Sequence, residues 1–369
     1  MKVLALNSSP RAGDQSKTGL ILNHFVDGMR DAGADVELEN LCEKSIKNCI
    51  GCFTCWTKTP GVCIYHDDMT NELFPKWLEA DLVVYATPLY NYSMNAAMKT
   101  FIERTLPAIQ PIFEMHEGRM YHPVRGKYPA VAILSVSGMP DEGHFSALSA
   151  HMRYLYSSPG RRLAAEIYRP AAEAMASPFF KQKADDIVHA VRQAGRELVE
   201  SMEVSPETMA RIRQPFVDAE HFAVMANAIW KTCIAEKVSL QEFAEQKMIP
   251  RPDSLESFLQ IFPAGLNARA VNDRKVVLQF KFSGEITEPC YFTIERGKID
   301  ATGGISESAD VTIEAPFAIW IDIMTNKADN QQMLMEQKYR VSGDVPLLMQ
   351  LLVPRDPVGN PNRLPSLLP

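Results

Sequence analysis

Residues 2–18 read KVLALNSSPRAGDQSKT, a short apolar run that passes directly into small and polar residues. The run predicts a strand, and the periodic pattern over 16–32 predicts an amphipathic helix after it. The same alternation continues, with further strands predicted at 36–38, 82–86, 130–136 and 163–168 and helices at 68–80, 94–104, 145–156 and 180–202. Apolar strands that alternate with amphipathic helices predict an α/β fold, a doubly wound parallel sheet covered on both faces. Such sheets bind ligands outside the carboxyl ends of their strands.

Length and composition limit the function classes. The chain has 369 residues, 46% of them hydrophobic and 22% charged, and a net charge of −7. This length predicts two domains, and the acidic balance argues against a nucleic-acid partner. No apolar run approaches the roughly 18 residues that span a membrane. The first ten residues lack the features of a signal peptide, so we expect a cytoplasmic protein.

The pattern changes in the second half of the chain. Helical periodicity over 205–247 gives way to alternating apolar residues in KVVLQFKF (275–282), and similar alternation recurs at 290–295 and 310–314. Alternation of this kind predicts half-buried strands of an antiparallel sheet. We therefore predict an α/β domain over 1–204, a helical connector over 205–250, a smaller α+β domain over 251–353 and an irregular tail over 354–369.

The loop after the first strand carries hydroxyl side chains, a glycine and two cations just before a helix. Helix amides and the helix dipole favour an anion at such a position. The loop has neither the Walker A pattern nor the dinucleotide fingerprint, so the phosphate of a mononucleotide fits best. An ordinary capped loop is the alternative.

Two further loops extend this pattern. TPLYNY (87–92) follows the third strand, and SGMP (137–140) follows the fourth. Together with the first loop they resemble the NADPH-dependent FMN reductases, a branch of the flavodoxin-like superfamily. The resemblance implies FMN as cofactor and NAD(P)H as cosubstrate. It implies a phosphate site at Ser9, Pro10, Arg11, Ser16, Lys17 and Thr18, and contacts to the flavin ring from Pro88, Leu89, Tyr90, Asn91, Ser137 and Gly138.

Four of the seven cysteines lie within 49–63, spaced C-x2-C-x2-C-x7-C at Cys49, Cys52, Cys55 and Cys63. Four thiolates suit zinc or an iron–sulfur cluster. The compact spacing favours a cluster over zinc, and free or structural thiols are the third reading. The run is similar to that of the iron–sulfur flavoproteins of the same superfamily, which implies that these four cysteines ligate a 4Fe-4S cluster near FMN.

The elements predicted over 253–352 resemble the sterol carrier protein type 2 fold. That fold implies an apolar tunnel for a lipid-like ligand, lined here by Trp320, Ile323, Met324, Met333, Met335 and Met349. A packed core without a ligand is the alternative.

The sequence thus predicts an FMN-dependent NAD(P)H oxidoreductase that passes electrons to a small-molecule or protein acceptor, directly or through a 4Fe-4S cluster. We name no catalytic side chain, because the cofactor carries the chemistry. Asp67 and Asp68 are predicted to cap a helix. Lys99 and Arg104 are predicted to lie on the solvated face of the helix at 94–104. A lipid carrier with a degenerate or regulatory flavin domain, or a pure electron-transfer flavoprotein, is the alternative. The family resemblance implies a homo-oligomer.

Overall fold

The structure, a computed structural model, describes residues 1–177 and 180–352. The chain divides into two compact units. The first unit comprises Met1–Ala176 and Phe180–Phe216, and the second, where it is described, comprises Ser177 and 217–352. The domain limits given above stay predictions, and the predicted tail over 354–369 lies outside the described residues.

The first unit is built on a parallel sheet. Its strands are β1 (Lys2–Asn7), β2 (Asp35–Asn40), β3 (Leu82–Pro88), β6 (Ala130–Val136) and β7 (Leu163–Arg169). They lie in the order β2-β1-β3-β6-β7, and all four pairings are parallel. Strands β4 (Glu114–His116) and β5 (Arg119–Tyr121) form a separate hairpin that the sequence analysis missed. The sheet order is that of the flavodoxin-like folds, and the predicted fold class is confirmed.

Six α-helices accompany this sheet in the part of the chain that the structure describes: α1 (Lys17–Asp31), α2 (Phe74–Glu79), α3 (Ala96–Glu103), α4 (Ser146–Leu155), α5 (Lys181–Ser201) and α6 (Pro206–Arg213). Because side chains alternate along a strand, β1 supplies both layers of the core. Leu4 and Leu6 pack in one cluster with side chains of α2, α3 and α4. Val3 and Ala5 are equally buried and point to the opposite face, where α1 packs with α5 beside it.

Two glycines allow α1 and α5 to approach closely. A Cβ at Gly28 would lie 1.8 Å from the carbonyl oxygen of Arg192, and a Cβ at Gly195 would lie 2.1 Å from that of Phe25. Both distances are far below van der Waals contact, so backbone meets backbone at this crossing.

The second unit begins with helices and continues into a sheet. Its helices are α7 (Ala219–Glu236), α8 (Leu240–Glu245), α9 (Leu255–Ile261), α10 (Phe317–Met324), α11 (Asn330–Met335) and α12 (Val345–Leu352). Its strands are β8 (Val276–Ser283), β9 (Cys290–Glu295), β10 (Lys298–Gly303), β11 (Val311–Pro316) and β12 (Arg340–Gly343). The sheet order is β10-β9-β8-β11-β12.

This second sheet is antiparallel except at its centre. Three of its four pairings run antiparallel, as the sequence predicts, whereas β8 and β11 pair in parallel. The parallel pairing arises because the chain passes from β10, at one edge, back across to the far side of β8 before β11 begins. The α+β assignment holds, with a mixed sheet in place of a purely antiparallel one.

Aromatic rings fill the interior of the second unit. Phe258 and Phe262 pack against a cluster in which neighbouring rings lie 4.9–6.2 Å apart, formed with Phe280, Phe282, Phe292, Phe317 and Trp320. Of the predicted tunnel residues, Trp320 is buried in this cluster, whereas Met335 and Met349 are 79% and 52% exposed. The last two therefore do not line an interior tunnel.

Candidate functional site

The loop 8–16 connects the carboxyl end of β1 to the first turn of α1. The N–H and hydroxyl of Ser8 both donate to the carbonyl oxygen of Ala86, at 2.9 and 3.1 Å, and fix the loop to β3. Ser16 caps α1 by accepting the N–H of Gly19 at 2.9 Å. The first amides of a helix have no acceptor within the helix, so this turn offers donors to an anion.

Side chains around this turn add hydroxyl groups and positive charge. Ser16, Lys17 and Thr18 are buried, whereas Pro10 and Arg11 are exposed and Ser9 is half-buried. The hydroxyl of Ser9 accepts the N–H of Arg11 at 3.2 Å. The guanidinium of Arg11 pairs with Glu173 at 2.7 Å, which holds it on the surface beside the loop.

The loop after β3 forms a tight turn that presents aromatic side chains to solvent. Tyr90 and Ser93 exchange backbone hydrogen bonds of 2.9 and 3.0 Å, and the two residues between them, Asn91 and Tyr92, have φ values of 47° and 63°. A pair of left-handed residues is the signature of a type I′ turn, and it is unusual for a tyrosine. Tyr90 remains 46% and Tyr92 56% exposed. The turn thus holds two large rings outside the core.

The loop after β6 lies next to that turn. The N–H of Leu89 donates to the backbone carbonyl oxygen of Val136 at 2.9 Å, and the N–H of Ser137 donates to that of Arg169 at 3.0 Å. Pro88 and Ser137 are buried, while Leu89 is half-buried and Gly138 is exposed. Because β1, β3 and β6 are adjacent, the structure brings all three predicted loops to one edge of the sheet.

A buried hydrogen-bond network joins the first two loops to strand β6, and the sequence analysis missed it. The amide of Asn95 donates to the carbonyl oxygen of Ser8 at 2.5 Å, and its oxygen caps α3 by accepting the N–H of Met98 at 3.2 Å. Thr87 accepts the N–H of Asn95, and the hydroxyl of Ser135 donates to the carbonyl oxygen of Thr87. An asparagine immediately before a helical pattern is a recognisable N-cap signal, which could have identified the central residue.

The four clustered cysteines lie in the loop between β2 and α2 and line one small cavity. Gly51 and Phe53 adopt left-handed backbone angles, φ 65° and 52°, which curl the loop around it. All four are free, Cys55 being buried and Cys52 exposed. Burial, together with the charges of the other three thiolates, raises the pKa of Cys55, whereas a bond to the Thr54 hydroxyl lowers that of Cys52.

Among the described residues, no group of three or more His, Cys, Asp or Glu side chains is gathered closely enough for one metal ion. The other cysteines lie elsewhere: Cys233 and Cys290 are buried, and exposed Cys42 donates to Ser8 at 3.3 Å.

An ion pair joins the two ends of the loop that carries the four cysteines. We refer to this segment as the cysteine loop and to the junction of its ends as the neck. Arg104, the residue that ends α3, makes two bonds to the Asp67 carboxylate, at 2.7 and 3.0 Å, and one to the carbonyl oxygen of Lys47 at 2.6 Å. Asp67 also accepts the N–H groups of Lys47 and Thr70, at 2.9 and 3.2 Å. Arg104 is 2% exposed, so its assignment to a solvated helix face was wrong. Its position at the end of α3 turns it towards the loop, where a carboxylate compensates its charge.

This neck predicts a response to acid. Burial alone would raise the pKa of Asp67, but Arg104 and two backbone N–H groups outweigh it and lower the pKa to about 2 from 3.8. Because the pKa of Asp67 is lowered, its ionised carboxylate stabilises the closed neck above pH 3.8. That stabilisation is lost as the pH falls towards 2 and the carboxylate is protonated. We expect the amide protons of Lys47 and Thr70 to lose exchange protection in this window. Hydrogen exchange across pH 2–5 measures it.

The Met98 amide is the matched control for that measurement, because its acceptor, the Asn95 side chain, does not titrate. Asp67→Asn should remove the pH dependence at Lys47 and Thr70. Equal losses of protection at Met98 would show that acid loosens the whole unit and that the ion pair has no local effect.

No helix in the described part of the chain is long and apolar enough to cross a membrane.

Comparison with known families agrees with both halves of the chain. Residues 1–160 match the family described as NADPH-dependent FMN reductase. Residues 260–352 match the SCP-2 sterol transfer family. Both resemblances predicted from the sequence are confirmed.

Curated relatives match part of the chain. An iron–sulfur flavoprotein of Archaeoglobus fulgidus is 39% identical over 108 residues, which cover 29% of this chain and 46% of that protein. One of Methanocaldococcus jannaschii is 31% identical over 107 residues, 29% of this chain and 53% of that protein. An FMN-dependent NADH:quinone oxidoreductase of Bordetella bronchiseptica is 26% identical over 180 residues, 45% of this chain and 84% of that protein. The chain thus spans about half the length of the iron–sulfur flavoproteins it matches.

Proposed function

We propose that the first unit is an FMN-dependent NAD(P)H oxidoreductase. The observation that carries the proposal is the meeting of three loops, 8–18, 87–92 and 137–140, at the carboxyl edge of a sheet in flavodoxin-like order. The match of residues 1–160 to the FMN reductases supports it, as do the relatives that are named for FMN-dependent oxidation of NADH. FMN bound at this edge would supply the chemistry of hydride transfer from NAD(P)H and of electron transfer to an acceptor.

The residues at this edge suit a flavin mononucleotide. The phosphate would meet the amides of the first turn of α1 together with the side chains of Ser9, Arg11, Ser16, Lys17 and Thr18. Pro10 would shape the loop there. Pro88, Leu89, Tyr90 and Asn91 would border one side of the ring, and Ser137 and Gly138 the other. The exposed Tyr90 and Tyr92 next to this site support a homo-oligomer in which a neighbouring chain covers them. The proposal assigns the protein binding, orientation and exclusion of water, and no side chain as acid or base.

We infer that Cys49, Cys52, Cys55 and Cys63 hold a 4Fe-4S cluster. A cubane cluster takes one thiolate on each of four iron atoms, so its ligands stand further apart than those of a single ion. Four thiols line one cavity, which is the number of ligands that such a cluster takes. The relatives named iron–sulfur flavoproteins support the assignment. The cluster would pass electrons to a small-molecule or protein acceptor.

The second unit supports a separate candidate function. Its match to the SCP-2 sterol transfer family favours an apolar, lipid-like ligand, which would make the protein a lipid carrier with a regulatory flavin domain. The packed aromatic cluster around Phe258 and Phe262 leads us to place the oxidoreductase first. Organic extraction of the purified protein and mass spectrometry of the extract distinguish the two.

The loop 8–16, the proposed phosphate loop, gives the proposal a direct test. We expect Ser9→Ala to weaken FMN binding by at least about tenfold, since a hydrogen bond to a charged group contributes roughly 1.5–3 kcal/mol. Riboflavin, which lacks the phosphate, should bind equally to both proteins. Quenching of flavin fluorescence on titration measures each affinity.

Ser201→Ala, which changes an exposed serine at the end of α5, is the control and should bind both flavins as the unchanged protein does. A chain that binds neither flavin would refute the proposed function. If Ser9→Ala weakened the binding of FMN and riboflavin equally, the assignment of the phosphate to this loop would be refuted.

A further inference from the structure

Arg104 ties together the two ends of the cysteine loop. Its guanidinium bonds to Lys47, which precedes the first clustered cysteine, and to Asp67 and Thr70, which follow the last one. The side chains of Arg104 and Asp67 are 1% and 2% exposed. Separating the two side chains would leave each buried charge without its counter-charge. This contact is therefore costly to open.

The same guanidinium also faces the cavity that the four cysteines line. Arg104 is one of the lining residues, and among them, within the described part of the chain, it is the one charged side chain apart from the thiols. The ring of Tyr65 lies 5.0 Å from the guanidinium carbon of Arg104. The Nε atom of Arg104 is buried without a hydrogen-bond partner. Burial works to lower the pKa of Arg104, but Asp67 and then the thiolate of Cys63 outweigh it, so that the pKa lies above its usual value.

A buried cation in this position acts on any redox group between the thiols. One-electron reduction adds a negative charge to the site, and a fixed positive charge nearby stabilises the reduced state more than the oxidised one. Asp67 offsets only part of this effect, because its carboxylate lies beyond the guanidinium and is not among the residues that line the cavity. Water, which would screen the effect at the surface, is excluded at Arg104.

We propose that Arg104 is a positioning residue of the four-cysteine site, one that holds the loop closed through Asp67 and raises the reduction potential of the cluster through its own charge. This inference rests on the proposed cluster. It assigns the end of α3 a part in electron transfer that is separate from ligation of iron.

The test compares three variants in the full chain, purified without oxygen. Arg104→Lys keeps the charge, Arg104→Gln removes it, and Lys99→Gln removes an exposed cation from the same helix as a control. Iron and sulfide analysis counts clusters, and a dithionite titration followed by visible absorption and electron paramagnetic resonance gives the midpoint potential. We expect Arg104→Gln to shift the reduction equilibrium about tenfold towards the oxidised form, which is about 59 mV for a one-electron couple.

Arg104→Lys and Lys99→Gln should keep the potential of the unchanged protein. If Arg104→Gln loses its iron while Arg104→Lys keeps both iron and potential, the requirement for a charge is also supported. The inference is overturned if Arg104→Gln retains the original potential, or if Arg104→Lys behaves as Arg104→Gln does. An unchanged protein that binds FMN but no iron would refute the proposed cluster itself, and this inference with it.

Discussion

Replacing Cys55 by serine is expected to reduce the iron and sulfide of the purified protein at least tenfold. Cys55 is 7% exposed, and the other three clustered thiols surround it. A serine hydroxyl stays protonated at neutral pH and is a poor ligand for iron, whereas metal binding at such sites requires the thiolate. Since serine has nearly the same size, the loop should retain its conformation. Metal analysis against protein concentration measures the loss.

Two controls accompany this substitution. Cys42→Ser changes a thiol outside the cavity and should leave iron unchanged. The FMN content of Cys55→Ser should equal that of the unchanged protein, because the loop 8–16 follows β1 and is separate in the chain from the loop that carries the cysteines. Full iron in Cys55→Ser would contradict the ligand assignment, and loss of FMN together with iron would show that the unit had unfolded.

A second large effect is expected from Gly195→Ala. The added Cβ would lie 2.1 Å from the carbonyl oxygen of Phe25 and 3.0 Å from the nitrogen of Met29, and backbone atoms cannot turn away as side chains can. The helices must separate, and overpacking of this kind costs roughly 1–3 kcal/mol or more. We expect a loss of about 3 kcal/mol in the stability of the first unit.

Hydrogen exchange followed by mass spectrometry can assign that loss, because a chain of two units does not unfold in a single step. Peptides from α1 and α5 should exchange faster in urea, while peptides from β8 and β9 should be unaffected. Gly126→Ala is the matched control, since a Cβ there meets nothing within 4 Å. Equal protection in the two variants would contradict the close approach of α1 and α5.

The sequence predicts the first unit better than the second, for physical reasons. Runs such as VLAL (3–6) are apolar and buried on both faces of the sheet, so a parallel sheet is recognisable from them. The strand Lys298–Gly303 was missed because five of its six residues are exposed. The parallel pairing of β8 and β11 was missed because alternation along a strand does not reveal the direction of its neighbour.

The candidate site shows the same limit. Loops that follow strands could be placed at one edge of the sheet by topology alone. Asn95 and Arg104 could not, because their roles depend on partners 87 and 37 residues away in the chain. Of the two residues predicted to cap a helix, Asp67 accepts the N–H of Thr70, whereas the Asp68 side chain makes no cap bond and accepts the N–H of Ser45. No local pattern indicates that the other bonds of Asp67 go to an arginine.

Helix α3 gives these contacts a shared consequence. Asn95 at its beginning touches the phosphate loop, and Arg104 at its end touches the cysteine loop. Eight residues of α-helix measure about 12 Å, so one rigid rod sets the spacing of the two sites. Each residue inserted into that rod would turn its far end by about 100° and lengthen it by about 1.5 Å. The spacing between the loop after β1 and the loop that carries the cysteines is therefore fixed in whole-residue steps.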